Sequence, residues 1–312
     1  MQVRVGANPP LLPGMTDSRQ VGAMLEQMSA AGIDHAVVGD HVSFFVGIGF
    51  DGLVHATALA ALHPQLPVYT SVYLLPLRHP VPVARQLSTL ASMAPGRVVF
   101  GVGIGGEDPH EVEICGVDPA TRGARMEESL IIVRSLLAGK PTSFRGRFFD
   151  IRDAVILPPP DPAIPLIVGG RSDAAIRRAG RLGDGWLGIW VSSERFAAAV
   201  RTAHDEAARV GRADAPTRHG MTVWCGFADD TRAAREILAG SMQAIYQLPF
   251  DRFERYSPYG SPEHVAEFLA PYVAAGCRDL NLLARGPRPD ETIAAVGEVK
   301  RLLTREFSQA TG

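Results

Sequence analysis

Short apolar runs alternate along the chain with longer stretches whose apolar residues recur every three or four positions. The runs at 3–7, 35–40 (HAVVGD), 66–72 (LPVYTSV) and 97–103 (RVVFGVG) have the continuous hydrophobicity of strands buried on both faces. Between them, 18–31, 53–62 and 82–93 have helical period. Val21, Met24, Leu25 and Met28 share one face of the first helix, which Gly32 ends, and Val83, Leu87 and Leu90 share a face of the third. After the fourth strand the pattern loosens. A helix is predicted over 121–137, and 140–162, rich in proline, arginine and aromatics, reads as an insertion with a hairpin through 144–156. Strands resume at 164–169, 185–190, 221–227 and 278–283, interleaved with helices at 172–181, 194–210, 231–246, 262–275 and 289–303. The loop 247–260 holds several aromatic residues.

Regular strand–helix alternation makes a parallel sheet, closed or open. Eight strands in 312 residues favour the closed form, because an eight-unit barrel takes about 250 residues before insertions. The expected fold is thus a (β/α)8 TIM barrel, one domain over 1–312. Insertions are expected at the C-terminal face, near 104–120, 140–162 and 240–260.

Charge adds an exclusion. With 31 basic against 33 acidic residues and no long run of one sign, nothing marks a nucleic-acid arm or an anionic-membrane surface. A small-molecule partner is the expectation. Cys115, Cys225 and Cys277 are widely spaced and form no metal pattern, so reduced thiols are expected. The opening MQVRVGANPP lacks the order of a signal peptide, and no apolar stretch approaches the ~20 residues of a membrane span. A cytoplasmic protein is expected.

Candidate chemistry lies where strands end, since barrel enzymes work at the C-terminal ends of their strands. Asp40-His41 follows the second strand. The imidazole suits general acid or base work near neutral pH, and the alternative is a capping aspartate with a packed histidine. Ser71-Val72 ends the third strand, where the hydroxyl either meets a ligand or caps the loop. Gly101-Val-Gly103-Ile-Gly105-Gly106 matches GxGxxG, but the dinucleotide fingerprint needs a helix opening directly on the glycines, early in the first βαβ unit. Here Glu107-Asp-Pro109 follows the fourth strand, so these glycines read as backbone passing close beneath a flat ligand. Gly169-Gly170-Arg171-Ser172 runs from the fifth strand into a helix. It reads as an anion cradle, or else as a plain turn with Ser172 as N-cap. Phe44, Phe45, Trp190, Tyr246, Phe250, Phe253 and Tyr256 either wall a pocket or simply pack. Glu127 and Glu128 follow Arg122 and Arg125 on one helix and read as partners along it. Neither HExxH nor GxSxG occurs.

Together these pieces resemble the luciferase-like monooxygenase superfamily over nearly the whole chain. The resemblance is carried by VVGDHV at 37–42, YTSVYLLPLRHPVPVARQLSTLASMAPGRVVFGVGIGG at 69–106 and RGARMEESL at 122–130. It continues through PLIVGGRSDAAIRRAGRLGDGW at 165–186 and GSPEHVAEFLAPYVAAGCRDLNLL at 260–283. It implies a flavin-type ring over the barrel mouth, with coenzyme F420 or FMN as the group held. Asp-His after the second strand is similar to the F420 branch. That likeness implies His41 near the ring, Asp40 as its neighbouring ring contact, and a non-prolyl cis peptide at Ser71-Val72. It implies Gly169 and Gly170 at the coenzyme phosphate, with Arg171 and Ser172 beside them, and Gly103, Gly105 and Gly106 under the ring. Phe45 falls where sugar-phosphate enzymes of the branch have a ring-side tryptophan, and Trp190 and Tyr246 are expected at the substrate pocket. His41 is the implied proton-transfer residue and Glu107 a second candidate. Two departures bear on direction. The branch's dehydrogenases have a glutamate where this chain reads Gly6-Ala-Asn8, and theirs directly follows the glycines where Gly106 intervenes here. Both point to a reductase. The alternatives are an FMN-dependent monooxygenase and a non-catalytic cofactor-binding protein of the same fold. The pocket loops carry no signature of one substrate, and a homodimer is a family expectation.

Overall fold

A computed structural model describes residues 3–10, 17–45, 47, 49–106, 108–214 and 216–309. Eight parallel strands close on themselves. They are β1 (Arg4–Ala7), β2 (His35–Val38), β3 (Val68–Tyr73), β4 (Val98–Val102), β7 (Leu166–Gly169), β8 (Gly185–Ile189), β9 (Gly220–Phe227) and β11 (Asp279–Arg285). Each pairs with the next in that order, and β11 pairs with β1. This is the expected (β/α)8 barrel. Around it run α1 (Ser18–Ala30), α2 (Gly52–Leu62), α3 (Pro80–Met93), α5 (Arg122–Leu137), α6 (Asp173–Leu182) and α7 (Ser193–Arg209), then α8 (Thr231–Tyr246), α9 (Pro262–Ala274) and α10 (Pro289–Gln309). The predicted hairpin is β5 (Thr142–Arg145) against β6 (Asp150–Ala154), antiparallel and apart from the barrel. A short β10 (Tyr259–Gly260) pairs in parallel with the end of β9.

The sequence pattern is accounted for by burial. All eight residues of β9 are buried, as a strand covered on both faces requires. Between strands and helices, Val5, Val38 and Phe100 of the strands and Leu25, Leu87 and Phe196 of the helices belong to one apolar core. Each such side chain contributes roughly 1.5–3 kcal/mol on burial. Inside the barrel the filling is stratified. At the N-terminal end Asp279 accepts from Arg4 Nε (2.6 Å) and Arg218 Nε (2.7 Å), and His35 Nε2 lies 2.7 Å from Asn281 Oδ1. Burial alone would push the Asp279 carboxyl up, but its bonds to the two guanidinium groups hold it below the usual range. Above this ionic floor Tyr69, Val99, Ile167 and Leu187 form an apolar plug, with Val72 packed on it. The barrel is therefore filled through its N-terminal end and middle.

The expected insertion near 104–120 contains α4 (Pro109–Ile114), started by Asp108 as N-cap and Pro109 in the first turn. One expectation needs correction. Glu127 and Glu128 do not pair along their own helix. Glu127 accepts from Arg181 of α6 (2.8 Å), and Glu128 accepts from the amides of Arg147 (2.7 Å) and Phe148 (3.0 Å) in the hairpin turn. Both carboxylates tie α5 to its neighbours.

Candidate active site

β2 delivers Asp40 and His41 to the rim, where they separate in role. Asp40 is buried. Its Oδ1 accepts from the Gly52 amide (2.8 Å) and Arg78 Nη2 (2.9 Å), its Oδ2 from the Leu74 amide (2.8 Å) and Arg78 Nη1 (2.7 Å). Burial pushes this carboxyl up, opposed by Arg78 and the two amides. A group that meets four donors is a carboxylate. Asp40 thus fixes the start of α2 and the turn leaving β3.

His41 has 36% of its side chain exposed and stacks on Phe44, ring centroids 4.0 Å apart. Its Nδ1 lies 3.1 Å from Glu111 Oε2. A carboxylate only accepts, so Nδ1 holds the proton, and Nε2 has no hydrogen-bond partner among the described residues. Glu111 also accepts from the amides of Val42 (2.7 Å) and Ser43 (3.2 Å). Asp108 accepts from the Phe45 amide (2.7 Å) while capping α4 through the His110 amide (3.0 Å). Two buried acids of one short helix thus bolt the 41–45 loop. Burial raises the Glu111 carboxyl, but the bonds from His41 and the two amides outweigh it, and the net shift is downward. Glu111 escaped the sequence reading because six residues are too few to show a helical period. The signal that could have found it was the Asp108-Pro109 start.

The next rim strand supplies a shelf. The Ser71–Val72 peptide is cis, as the resemblance implies, and the β3–β4 register shifts between Thr70 and Tyr73. Ser71 Oγ is 2.8 Å from Thr222 Oγ1 across the barrel. A Cβ on Gly103 would come within 2.3 Å of Val72 Cγ2, and one on Gly169 within 2.9 Å of Val72 Cγ1. Those two glycines make room for Val72. Gly105 has φ +69°, and Gly106 lies beside Arg122. Glu107 lies outside the described residues.

At the β7 exit Gly170 has φ +132°, a region unsuited to side chains, and its Cβ would meet Ala175 Cβ at 2.8 Å. Ser172 Oγ caps α6 by accepting from the Ala175 amide (3.2 Å), so its hydroxyl hydrogen is still available to an acceptor. The first amides of α6 have no partner within the helix. The nearby Asp173 carboxylate is paired with Arg195, which lowers the Asp173 pKa. Shelf and cradle together fit a flat ring with an anionic tail: apolar floor, glycine turn, helix amides.

Aromatic residues close the far side. Trp190, buried at φ +50°, packs on Tyr246 (5.2 Å) and Phe253 (4.6 Å), and the Arg171 guanidinium lies over its ring at 5.2 Å. Trp224 Nε1 donates to Tyr246 Oη (3.1 Å). Phe44 faces Tyr246 edge-on at 6.1 Å, so the buried ring spanning the mouth is Phe44. Phe45 is 39% exposed and touches Phe44 edge-on.

The chain belongs to the luciferase-like monooxygenase family, whose pattern it matches over residues 4–258. An uncharacterised protein of Mycobacterium tuberculosis is 39% identical over 159 residues, 50% of this chain and 54% of that one, so the match spans about half of that relative's length. A Rhodococcus hoagii protein named F420-dependent glucose-6-phosphate dehydrogenase is 29% identical over 88% of this chain and 89% of its own. Among solved structures, an F420-dependent secondary alcohol dehydrogenase with an F420–acetone adduct superposes with TM-score 0.83 at 20% identity. That match covers 96% of this chain and 98% of the other. No helix of the described residues is long and apolar enough to cross a membrane.

Proposed function

We propose that this protein is an F420-dependent oxidoreductase that moves hydride between the deazaflavin and a small organic substrate, in the reducing direction. The observation that carries the reading is His41, its Nδ1 held by a buried carboxylate and its Nε2 without a partner among the described residues, in the loop that leaves the strand next to the bulged shelf. The coenzyme named for the Rhodococcus hoagii relative supports the choice of F420.

The coenzyme, when bound, supplies a hydride-exchanging carbon where a flavin has N5, and this chemistry is its own. The chain's residues position and protect. Val72 and the cis-linked Ser71 form the floor under the ring, and Gly169, Gly170 and the first turn of α6 hold the phosphate, with Arg171 and Ser172 beside it. Reduction of the substrate by two electrons needs a proton as well as a hydride. His41 provides it from Nε2, and the Glu111 carboxylate balances the charge of the imidazolium that precedes transfer. Trp190 and Tyr246 wall the substrate side.

The test is turnover of reduced F420 with a panel of enones and imines. His41→Ala is expected to keep F420 affinity within about threefold and to lose on the order of a hundredfold or more in kcat. Gly170→Asp puts a carboxylate and a strained backbone into the cradle and is expected to weaken F420 binding at least about tenfold. A His41→Ala enzyme as fast as the wild type would defeat the proton-donor role.

A further inference from the structure

One charged group at the mouth is unused by this reading. Arg285 ends β11, level with Gly226 of β9. Its Nη1 donates to Asn8 Oδ1 (3.3 Å) and to the Ala284 carbonyl (2.7 Å), both neutral. Its guanidinium lies over the Trp224 ring at 4.6 Å. Among the described residues no carboxylate pairs with it, although Arg4, Arg78 and Arg218 each meet a buried aspartate. Burial pulls the Arg285 pKa down, and the groups that push it back up are a thiol and a phenol. A half-buried cation without an anion is costly, and the cost is recovered when a ligand supplies the anion.

The surroundings define the rest of that ligand. Trp224 beneath the guanidinium bonds to Tyr246, Tyr246 packs edge-on against Trp190, and the three rings make a continuous apolar wall. In that wall Trp190 Nε1–H is buried and has no acceptor among the described residues.

We infer that Arg285 anchors a carboxylate on the substrate, and that the substrate's flat apolar body lies along Trp224, Tyr246 and Trp190. The inference rests on the proposed coenzyme-and-substrate mouth and names the class of substrate: an unsaturated or aromatic acid. One guanidinium matches one carboxylate, and a planar bidentate pair over an indole face orients the acid while leaving its body on the rings. The coenzyme's own acidic tail is the other possible source of an anion, and the assay separates the two.

Benzoate and its neutral isostere benzamide are titrated into the wild type by tryptophan fluorescence, with and without F420. F420 affinity is read separately from deazaflavin fluorescence. Benzoate is expected to bind at least about tenfold more tightly than benzamide. Arg285→Gln is expected to remove that preference and to leave F420 affinity within about threefold. Asn8→Asp places a carboxylate beside the guanidinium, and is expected to abolish benzoate binding in a protein that keeps its fold. Equal binding of benzoate and benzamide by the wild type overturns the inference without any variant. Loss of F420 affinity in Arg285→Gln, with benzoate binding kept, assigns the arginine to the coenzyme and overturns it as well. If benzoate binds as expected while F420 does not bind at all, the anion site stands and the coenzyme reading falls.

Discussion

The imidazole of His41 is useful only if its two nitrogens differ, and Glu111 makes them differ. Glu111→Gln tests this closely. A glutamine oxygen can still accept from the Val42 and Ser43 amides, so the loop holds. Its amide nitrogen offers Nδ1 a donor, which moves the ring proton to Nε2 and leaves no charge to balance an imidazolium. The expected result is kcat lower by about a hundredfold with F420 affinity nearly unchanged, and a displaced pH profile. An unchanged profile would make Glu111 a loop tether only. His41 was legible as a candidate because barrel enzymes work at the C-terminal ends of their strands and the resemblance has a ring-side histidine at that place. Glu111 and Arg285 were not, because their meaning depends on what the barrel brings beside them. Arg285 stands two residues past the predicted end of its strand, and only the closed ring of strands sets it against Trp224 and Asn8.

At the level of elements, the bulged end of β3 is the part with least tolerance. Val72 fills the space that Gly103 and Gly169 leave open, so side chains there collide with the barrel's own plug. Gly103→Ala is expected to cost about 1–3 kcal/mol, measured by urea unfolding, and to weaken coenzyme binding because the shelf must shift. Asp40→Asn is expected to cost more, about 3–5 kcal/mol, since it leaves Arg78 without its buried counter-charge. A change under 1 kcal/mol in the same assay would mean that Arg78 finds Asp51 instead, which it already approaches at 3.2 Å. The strands and long helices were readable because burial imposes a period. The glycines were readable as close approaches but not as approaches to Val72, since the partner in a close approach lies on another strand. Ser172 joins both of its readings: it is an N-cap whose amides form the candidate cradle.

For the molecule as a whole, alternation and length were enough to specify the barrel, because a parallel sheet of eight strands covered by helices has few ways to bury itself. The polar interior of its lower end was not legible, and it sets the acid response. His219 accepts from the Trp186 amide (3.2 Å), and burial, helped by His204, pulls its pKa down to about 4. The unfolded chain binds a proton near the ordinary value of 6.5 where the folded one does not. Stability is therefore full above pH 6.5 and declines as the pH falls toward 4, by up to about 3 kcal/mol from this group. His35, lowered by burial, acts in the same direction. Urea unfolding across that range should show the decline, and His219→Gln should flatten it. A decline of equal size in the variant would assign it to other groups.

The central claim is that the mouth of this barrel takes F420, and the direct measurement is a titration of the purified protein with oxidised F420 and, separately, with FMN. Saturable F420 binding is expected with a Kd on the order of micromolar, about −8 kcal/mol, and negligible FMN binding at the same concentrations. Tight FMN binding without F420 binding would contradict it. The protein would then belong with the oxygen-using members of its family, and His41 would lose its assigned role.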